Sequence, residues 1–248
     1  MNRMKKVYYA DKETNEGMIK TILKKALDLI EKEDAINTII LLFPTLSVAD
    51  DVLANVLPEL TKGNRILHSN NPSCGIRVET MKNYSANFQH ILIPFYVSEK
   101  DFSKIEDEWY ARIWIVAPYD FSAMENWLRV HSSENVKTGD VISLDNSLDE
   151  RVVNGIEWLW ATSFPNEGFI HPLDSNRLKC MANALAAKNV PLDYYTVLHY
   201  CITHKINHDG GRKIADHFVK AQTRKFKIEG NCPLSFMTEM MNTKHKRI

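Results

Sequence analysis

Long apolar runs, an excess of charge of one sign, and high glycine or proline content are all missing from this sequence. No apolar stretch approaches the roughly 20 residues that a membrane-spanning helix needs, so we expect no membrane partner. The 31 Lys+Arg residues balance 31 Asp+Glu, and the chain is 44% hydrophobic. This composition excludes a disordered chain and a uniformly basic nucleic-acid coat. Nine Gly and nine Pro in 248 residues also exclude a collagen-like chain, which leaves a globular protein.

Cysteine is also scarce, and no two cysteines have the C-x-x-C spacing. A secreted scaffold held by disulfides would be shorter and denser in cysteine. The basic N-terminus runs into a short apolar stretch that Asp11 interrupts, and this is too short for a signal peptide. We therefore expect reduced thiols and a cytoplasmic protein. The four cysteines are Cys74, Cys180, Cys201 and Cys232.

Sequence motifs of common cofactor and catalytic sites are absent as well. The chain lacks the G-x-G-x-x-G turn of dinucleotide folds, the G-x-x-x-x-G-K-[ST] phosphate loop and the G-x-S-x-G nucleophile elbow. His204 and His208 are four residues apart, near Cys201, but no acidic general base lies between them as a metalloprotease requires. We therefore expect neither a resident cofactor nor a metal site, and we favour a protein that is not an enzyme.

The first half of the chain alternates short apolar runs with helical patterns. Continuous apolar runs at 37–43 and 111–117 are typical of parallel strands that are buried on both faces. Apolar residues at helical spacing occupy 16–33 and 121–130. This alternation requires crossover connections, which place helices on the faces of a parallel sheet. We predict a Rossmann-like three-layer α/β domain over residues 1–135, with a mostly parallel sheet of about five strands.

Strand patterns end near residue 135, and the remainder of the chain is predicted to be helical. Residues 136–172 are predicted to form a linker and a Trp-rich helix at the domain interface. Residues 173–248 are predicted to form a smaller all-α domain. Its three main helices are separated by short connections, which suits a helix-turn-helix unit. In that interpretation the recognition helix begins at Gly211, after Asp209 as its candidate N-cap.

The neutral total conceals an asymmetry of charge along the chain. Residues 1–173 contain 18 Lys+Arg and 25 Asp+Glu, a net of −7, whereas residues 174–248 contain 13 and 6, a net of +7. A basic face attracts phosphate backbones, because each phosphate that it neutralises releases counterions. Docking of the basic face on the acidic domain or on a second subunit is an open alternative. The candidate nucleic-acid contacts are Arg212, Lys213, Lys220, Arg224 and Lys225.

Residues that follow the predicted strands are candidates for a small-ligand site. In an open α/β sheet, ligands bind beyond the carboxyl ends of the strands, at a topological switch point. Free N–H groups at the helix that opens at Ser47 would suit a phosphate, although Thr45 and Ser47 also have the residue types of a helix cap. The ligand-binding candidates are Thr45, Ser47, Tyr96, Ser98 and Tyr119.

Two aspartates at predicted strand ends suggest an enzymatic alternative. Asp11 follows the apolar stretch 7–10, and Asp120 follows the strand 111–117. Carboxylate oxygens are the ligands that Mg²⁺ prefers. The stretches 7–11 and 114–121 resemble the acidic strand ends of PIN-like nucleases. That resemblance implies a metal that activates water for attack on a phosphodiester, with Asp11 and Asp120 as catalytic residues. The same aspartates also suit helix or turn caps.

The sequence thus supports a leading hypothesis and two alternatives. The leading one is a two-domain intracellular protein whose acidic α/β domain binds a small ligand or protein and whose basic helical domain binds nucleic acid. The first alternative is a metal-dependent phosphodiesterase or nuclease. The second is a non-catalytic interaction subunit of a larger complex, with a protein partner or a second copy of the chain.

Overall fold

A computed structural model divides the chain into two compact units, Met1–Ser143 and Leu144–Ile248. Among the described residues between 61 and 74, only the backbone is described. The described residues are 6–10, 16–33, 35–63, 65–68, 71–84, 89–96, 105, 113–118, 120–144 and 147–245.

A mostly parallel sheet forms the centre of the first unit. Within the described residues it has eight strands in the order β3-β4-β2-β5-β6-β1-β7-β8. The six strands from β4 to β7 in that order run parallel, and β3 and β8 pair antiparallel at the two edges. The strands are β1 (Lys6–Tyr9), β2 (Thr38–Phe43), β3 (Arg65–His68), β4 (Asn71–Thr80), β5 (His90–Pro94), β6 (Ile113–Val116), β7 (Ser133–Asn135) and β8 (Val141–Ile142).

In the described part of this unit, three α-helices with defined ends cover the sheet from both sides. They are α1 (Glu16–Lys32), α2 (Leu46–Leu53) and α3 (Phe121–Val130), and a short 3₁₀ helix spans Pro58–Gly63. Ile22 of α1 and Leu53 of α2 pack with Ile39, Leu41 and their neighbours on one face. On the other face, α3 packs on alternate strand residues that include Ile40, Leu42 and Trp114.

Burial on both faces explains why the central strands are continuously apolar. Every residue of β2, β5 and β6 is buried. Successive side chains of a strand point to opposite faces, so a sheet covered on both sides needs apolar residues at every position. Each fully buried Leu, Ile or Phe contributes about 1.5–3 kcal/mol. The predicted mixed α/β class with a mostly parallel sheet is confirmed.

The sheet has more strands than the five or so that the sequence predicts. The segment before Ile76 looks like a loop in the sequence because it contains Asn70, Asn71 and Pro72, yet 71–74 extends β4 beyond β2 and pairs only with β3. Strand β7 has the sequence Ser-Glu-Asn and β8 has two residues. Such short polar strands have no hydrophobic signature, because pairing with a neighbouring strand alone defines them.

The second unit contains helices, turns and irregular segments, and no strand occurs in its described residues. Its helices are α4 (Glu150–Thr162), α5 (Pro172–Ala187), α6 (Tyr194–Thr203), α7 (His208–Ala221) and α8 (Leu234–Asn242), and a 3₁₀ turn spans Pro165–Glu167. Leu178 and Leu185 of α5, Val197 of α6, and Ile214 and Phe218 of α7 are all buried. The described helices of the chain include none with the length and apolar composition needed to cross a bilayer.

The cysteines differ from the prediction of reduced thiols. The structure joins Cys180 of α5 to Cys232, 52 residues further along, with their Cα atoms 6.2 Å apart. Cys201 is buried and is not part of a disulfide. The sequence has no signature of this pairing, because the two cysteines are far apart in the chain and only the fold brings them together.

We predict that acid weakens the α/β unit through His90. His90 opens β5 and is buried; burial first, and then the positive charge of Arg77, lower its pKa to about 4, whereas an unfolded chain keeps it near 6.5. The folded state therefore binds the proton more weakly than the unfolded state. Neutral His90 therefore stabilises the folded state above about pH 6.5. This contribution to the free energy of unfolding is lost as the pH falls towards about 4, by at most about 1.4 kcal/mol per pH unit.

Urea unfolding of the wild type and of His90→Gln across this pH window measures the effect. The variant should show the shallower decline in the free energy of unfolding. Parallel declines in the two proteins would contradict the assignment to His90.

Candidate functional site

The carboxyl edge of the sheet contains a topological switch point between β2 and β5. These strands are paired neighbours, but the next parallel strand after β2 is β4 on one side, and the next after β5 is β6 on the other. The two connections therefore diverge and leave a crevice, which is where open α/β sheets bind ligands. Stacking of the Phe43 and Phe95 rings, with centroids 4.9 Å apart, fixes the ends of the two strands against each other.

Thr45 and Ser47 follow β2 at this edge. Thr45 is the N-cap of α2: its Oγ1 accepts a hydrogen bond from the Val48 N–H at 3.3 Å. The sequence predicts a helix that opens at Ser47 and offers both residues as caps, but Ser47 lies in the first turn of α2 with its side chain exposed. Thr45 is the cap because its backbone is extended while Ser47 is already helical, and only an extended cap residue can aim its hydroxyl back at the helix.

Tyr96 follows β5 at the same crevice and has an unusual backbone. Its φ is 56°, in the left-handed region, while its N–H donates to the Ala117 carbonyl at 3.3 Å. A bulky residue in that region is strained by about 1–3 kcal/mol, and such strain concentrates at functional sites. The half-buried Tyr96 ring packs against the same core cluster as α1 and α2. Thr45, Ser47 and Tyr96 thus follow two neighbouring parallel strands at the same edge of the sheet.

Asp120 acts as a helix cap in the structure. Its carboxylate accepts hydrogen bonds from the Ser122 N–H at 2.9 Å and the Ser122 hydroxyl at 2.6 Å, at the start of α3. The Ser122 hydroxyl first, and then the backbone N–H groups, hold the pKa of this exposed carboxyl below its usual value. The carboxylate therefore has a structural use. Its suggested partner Asp11 lies outside the described residues, as do Ser98 and Tyr119.

In the helical unit, the predicted recognition helix begins earlier than its sequence pattern indicates. Helix α7 starts at His208 rather than at Gly211, and its cap is Asn207, whose side-chain oxygen accepts the Gly210 N–H at 2.8 Å. Asp209, the expected cap, instead pairs with Lys213 at 3.1 Å. The sequence suggests that Gly210 and Gly211 break the helix, but both lie in its first turn. Glycine is needed at position 210 because the backbone at Pro165 approaches closely there.

The first turn of α7 is covered by the 3₁₀ turn at Pro165–Glu167. Gly210 packs so tightly that a Cβ atom there would lie 2.1 Å from the Pro165 carbonyl oxygen. The side-chain oxygen of Asn166 accepts the Asn207 N–H at 2.8 Å, and the Asn207 side chain donates to the Asn166 carbonyl at 2.7 Å. A helix-turn-helix protein reads bases with the N-terminal residues of its recognition helix. Here that end of the helix is occupied by the protein itself.

The predicted nucleic-acid contacts therefore separate into two groups. Lys213 is half-buried and donates to the Gly168 carbonyl at 2.8 Å, and Arg212 lies beside it in the same covered half of α7. Lys220 is exposed near the C-terminal end of α7 and pairs with Asp216 at 3.0 Å. An exposed pair of this kind contributes little to stability. Arg224 and Lys225 follow the helix and are exposed.

A cluster of cations surrounds two rings at the C-terminal end of α7. The Phe226 ring stacks on His217 at 4.8 Å, and the Arg224 guanidinium lies over it at 5.3 Å. Burial is the largest cause that lowers the pKa of His217; the hydrogen bond with the Lys213 carbonyl and the charge of Asp216 oppose it, and the positive charges of Lys220 and Lys179 add to it. We define the α7 basic patch as Lys179, Lys220, Arg224, Lys225 and Lys227.

Phe226 and His217, the two rings beside this patch, are the residues that sequence reasoning missed. Alternating cations and an aromatic residue at 224–227 were the available signal. The segment lies beyond the helical periodicity of α7, and only the fold brings it to His217. The side-chain amide of Asn183 anchors it from α5: it donates to the Phe226 carbonyl and accepts the Phe226 N–H, each at 2.9 Å.

The structural division of the chain also changes the charge asymmetry. The unit Leu144–Ile248 contains 14 Lys+Arg and 11 Asp+Glu, a net of +3, and Met1–Ser143 contains 17 and 20, a net of −3. The values of ±7 depended on a boundary at residue 173, and the acidic segment 144–173 belongs to the helical unit. The helical unit is therefore only weakly basic in total.

Neither unit brings metal-ligating residues together within the described part of the chain. No group of three or more His, Cys, Asp or Glu side chains suited to a metal ion occurs there. His204 is one of the two histidines that lie four residues apart. Its ring stacks on Tyr200 at 3.9 Å, and its Nδ1 is 2.8 Å from the Tyr200 carbonyl oxygen.

Comparison of the chain with protein-family models, with curated proteins and with solved structures found no match. The fold itself defines the class: a mixed α/β unit with a mostly parallel sheet, followed in the chain by a helical unit.

We predict that Gly210→Ala destabilises the helical unit by about 3 kcal/mol, the upper end of the cost of overpacking. The added Cβ meets a backbone oxygen, so the 3₁₀ turn must move away from α7. Gly230→Ala is the control, because Gly230 has φ +79° but no atom within 4 Å of its Cβ position. That variant should lose only about 1–2 kcal/mol through backbone strain. If urea unfolding gave the two variants equal losses in free energy of unfolding, this would argue against close packing of the 3₁₀ turn on α7.

Proposed function

We propose that the helical unit binds nucleic acid through the α7 basic patch. The observation that carries this proposal is the Arg224 guanidinium over the Phe226 ring, in a segment whose cations Arg224, Lys225 and Lys227 are all exposed. Within the described residues, Lys225 and Lys227 form no hydrogen bond or ion pair, so their ammonium groups are available to phosphates. Lys220 has Asp216 beside it, but phosphate contacts can replace so weak an exposed pair.

The aromatic component of the patch supports nucleic acid rather than a simple anion. Arg224 and Phe226 offer a cation and a ring face in one place. Proteins that bind nucleic acid combine cations that follow the backbone with planar groups on which bases stack. The covered first turn of α7 favours binding through phosphates and stacking over base reading by Arg212 and Lys213. The proposed site therefore uses the C-terminal end of the helix.

Salt dependence of oligonucleotide binding tests this proposal. The logarithm of the binding constant should fall linearly with the logarithm of salt concentration, for duplex or single-stranded DNA or RNA. Replacing Arg224, Lys225 and Lys227 together by Ala should weaken binding and reduce the slope by about 2–3, since each phosphate contact contributes about 0.7–0.9. Fluorescence anisotropy measures both quantities.

The matched control replaces Lys24, Lys32 and Lys82, three exposed lysines of the α/β unit, by Ala. It changes the total charge by the same amount, so it should leave the slope unchanged. No binding at low salt, or the same loss in both triple variants, would refute the proposal.

A second candidate function is small-ligand binding by the α/β unit at the switch point. The specific observation in its favour is the strained Tyr96 backbone, which follows β5 at the edge where Thr45 and Ser47 follow the neighbouring strand β2. At the start of α2 the backbone N–H groups face this edge, which suits a phosphate or carboxylate. The ligand would be a small anionic metabolite. The phosphodiesterase alternative has less support, because Asp120 is engaged by Ser122.

Thermal shift with inorganic phosphate and with adenosine diphosphate tests this second candidate. Ser47→Ala should leave the melting temperature without ligand unchanged, since Ser47 is exposed and is not the cap, but it should reduce the shift that the ligand causes. Thr45→Ala is unsuitable for this thermal-shift test, because removing the N-cap of α2 would itself cost about 1 kcal/mol of stability. The same shift in the wild type and Ser47→Ala, or none in either, would count against the site.

A further inference from the structure

The segment that follows α7 lies along α5 and is attached to one face of that helix at three points. Asn183 holds it through the two hydrogen bonds described above. Asn176 repeats this arrangement: its side-chain amide donates to the Glu229 carbonyl at 2.7 Å and accepts the Glu229 N–H at 2.9 Å. The Cys180–Cys232 disulfide is the third attachment. Because the three α5 residues are spaced three or four positions apart, they share one face of the helix.

The disulfide and the two asparagines hold different parts of this segment. Both asparagines bind the backbone at or before Glu229. Gly230 then turns the chain with φ +79°, and Cys232 follows, two residues before α8 begins at Leu234. The disulfide therefore fixes the point at which the chain enters α8, whereas the asparagines hold the preceding part, 224–229.

Helix α8 depends on its packing against α4. It has nine residues, whereas isolated helices shorter than about 12–15 residues are marginal in water. Met237 and Met241 are buried, and Asn154 of α4 donates to the Met241 carbonyl at 2.9 Å. The Phe236 ring meets Trp158 of α4 edge-on, with the ring centroids 6.4 Å apart. Docking on α4 therefore has to keep this short helix folded.

Opening the disulfide favours the undocked form of α8, because it frees the connecting chain. With the bond closed, the start of α8 is tied to α5, and an undocked helix remains close to its docking site. With the bond open, the last attachment before α8 is the one at Glu229, and residues 230–233 gain backbone freedom. Gly230, Asn231 and Pro233 are exposed, so little packing restrains them.

We propose that the Cys180–Cys232 disulfide is a reversible redox site that controls the docking of α8 on α4, and that a dithiol reductant opens it. Reduction leaves the asparagine-held part 224–229 in place in both redox states. This inference therefore does not rest on the binding of nucleic acid, and its test uses none.

The exchange reaction begins at Cys232, which is half-buried, whereas Cys180 is only 5% exposed. One thiolate of the dithiol attacks the Cys232 Sγ, and Cys180 leaves as a thiolate that takes up a proton. The second thiolate of the dithiol then attacks the resulting mixed disulfide. Cys232 is released as a thiol, and the dithiol becomes a cyclic disulfide. In total, two electrons and two protons pass from the dithiol to the protein.

Hydrogen exchange measured by mass spectrometry on the full chain, before and after reduction with dithiothreitol, tests the proposal. Amides of α8 should exchange faster by a factor that is at least about tenfold larger than the factor for α7, because α8 opens locally while the rest of the unit stays folded. A disulfide that only stabilises the whole unit would raise exchange in both helices by the same factor. Replacing dithiothreitol by oxidised glutathione should restore slow exchange in α8.

Cys232→Ser should show fast exchange of α8 without reductant and no further change with dithiothreitol. Cys201→Ala is the matched control: it removes a cysteine that is not part of a disulfide, so it should respond to dithiothreitol as the wild type does. Iodoacetamide added to denatured, unreduced protein should modify neither Cys180 nor Cys232. Modification of both, equal factors in α7 and α8, or slow exchange of α8 in Cys232→Ser would overturn the proposal.

Discussion

Burial of the three central strands on both faces is the constraint on which the α/β unit depends. Since β2, β5 and β6 expose no residue, their backbone groups must pair within the sheet and helices must cover both sides. Helices α1 and α2 cover one face and α3 the other. The connections that reach these helices leave the carboxyl ends of the strands, and the crevice between β2 and β5 follows from their divergence. The candidate ligand edge is thus a consequence of core packing.

In the helical unit, close approach of the 165–168 segment to α7 has a corresponding role. Gly210 allows the contact, and the reciprocal bonds between Asn166 and Asn207 maintain it. The contact covers the start of α7 and engages Lys213, so available positive charge is left at the other end of the helix. One packing arrangement therefore determines which end of α7 the proposed binding surface uses.

Sequence patterns identified several elements of the fold directly. They missed other elements for physical reasons. The apolar run 37–43 identified β2, and helical spacing identified α1 and α3 nearly to the residue, because burial on one or both faces requires those patterns. Strand β7, by contrast, consists of Ser, Glu and Asn and exists only through its neighbours. Residue types did not decide between Thr45 and Ser47 as the cap of α2, and the cap of α7 is Asn207, two residues before its expected position, since capping depends on backbone angles that residue type does not encode.

The sequence by itself determined the α/β class, the change to helices in the second half, and the presence of polar residues at strand ends. These properties follow from the periodicity of burial, which is local in the chain. Only the tertiary structure decided which cations are available, which aspartate serves as a cap, and how the charge divides, −3 and +3 rather than −7 and +7. Those outcomes depend on contacts between residues far apart in sequence, such as Lys213 with Gly168 and Phe226 with Asn183. No local pattern of residues specifies such contacts.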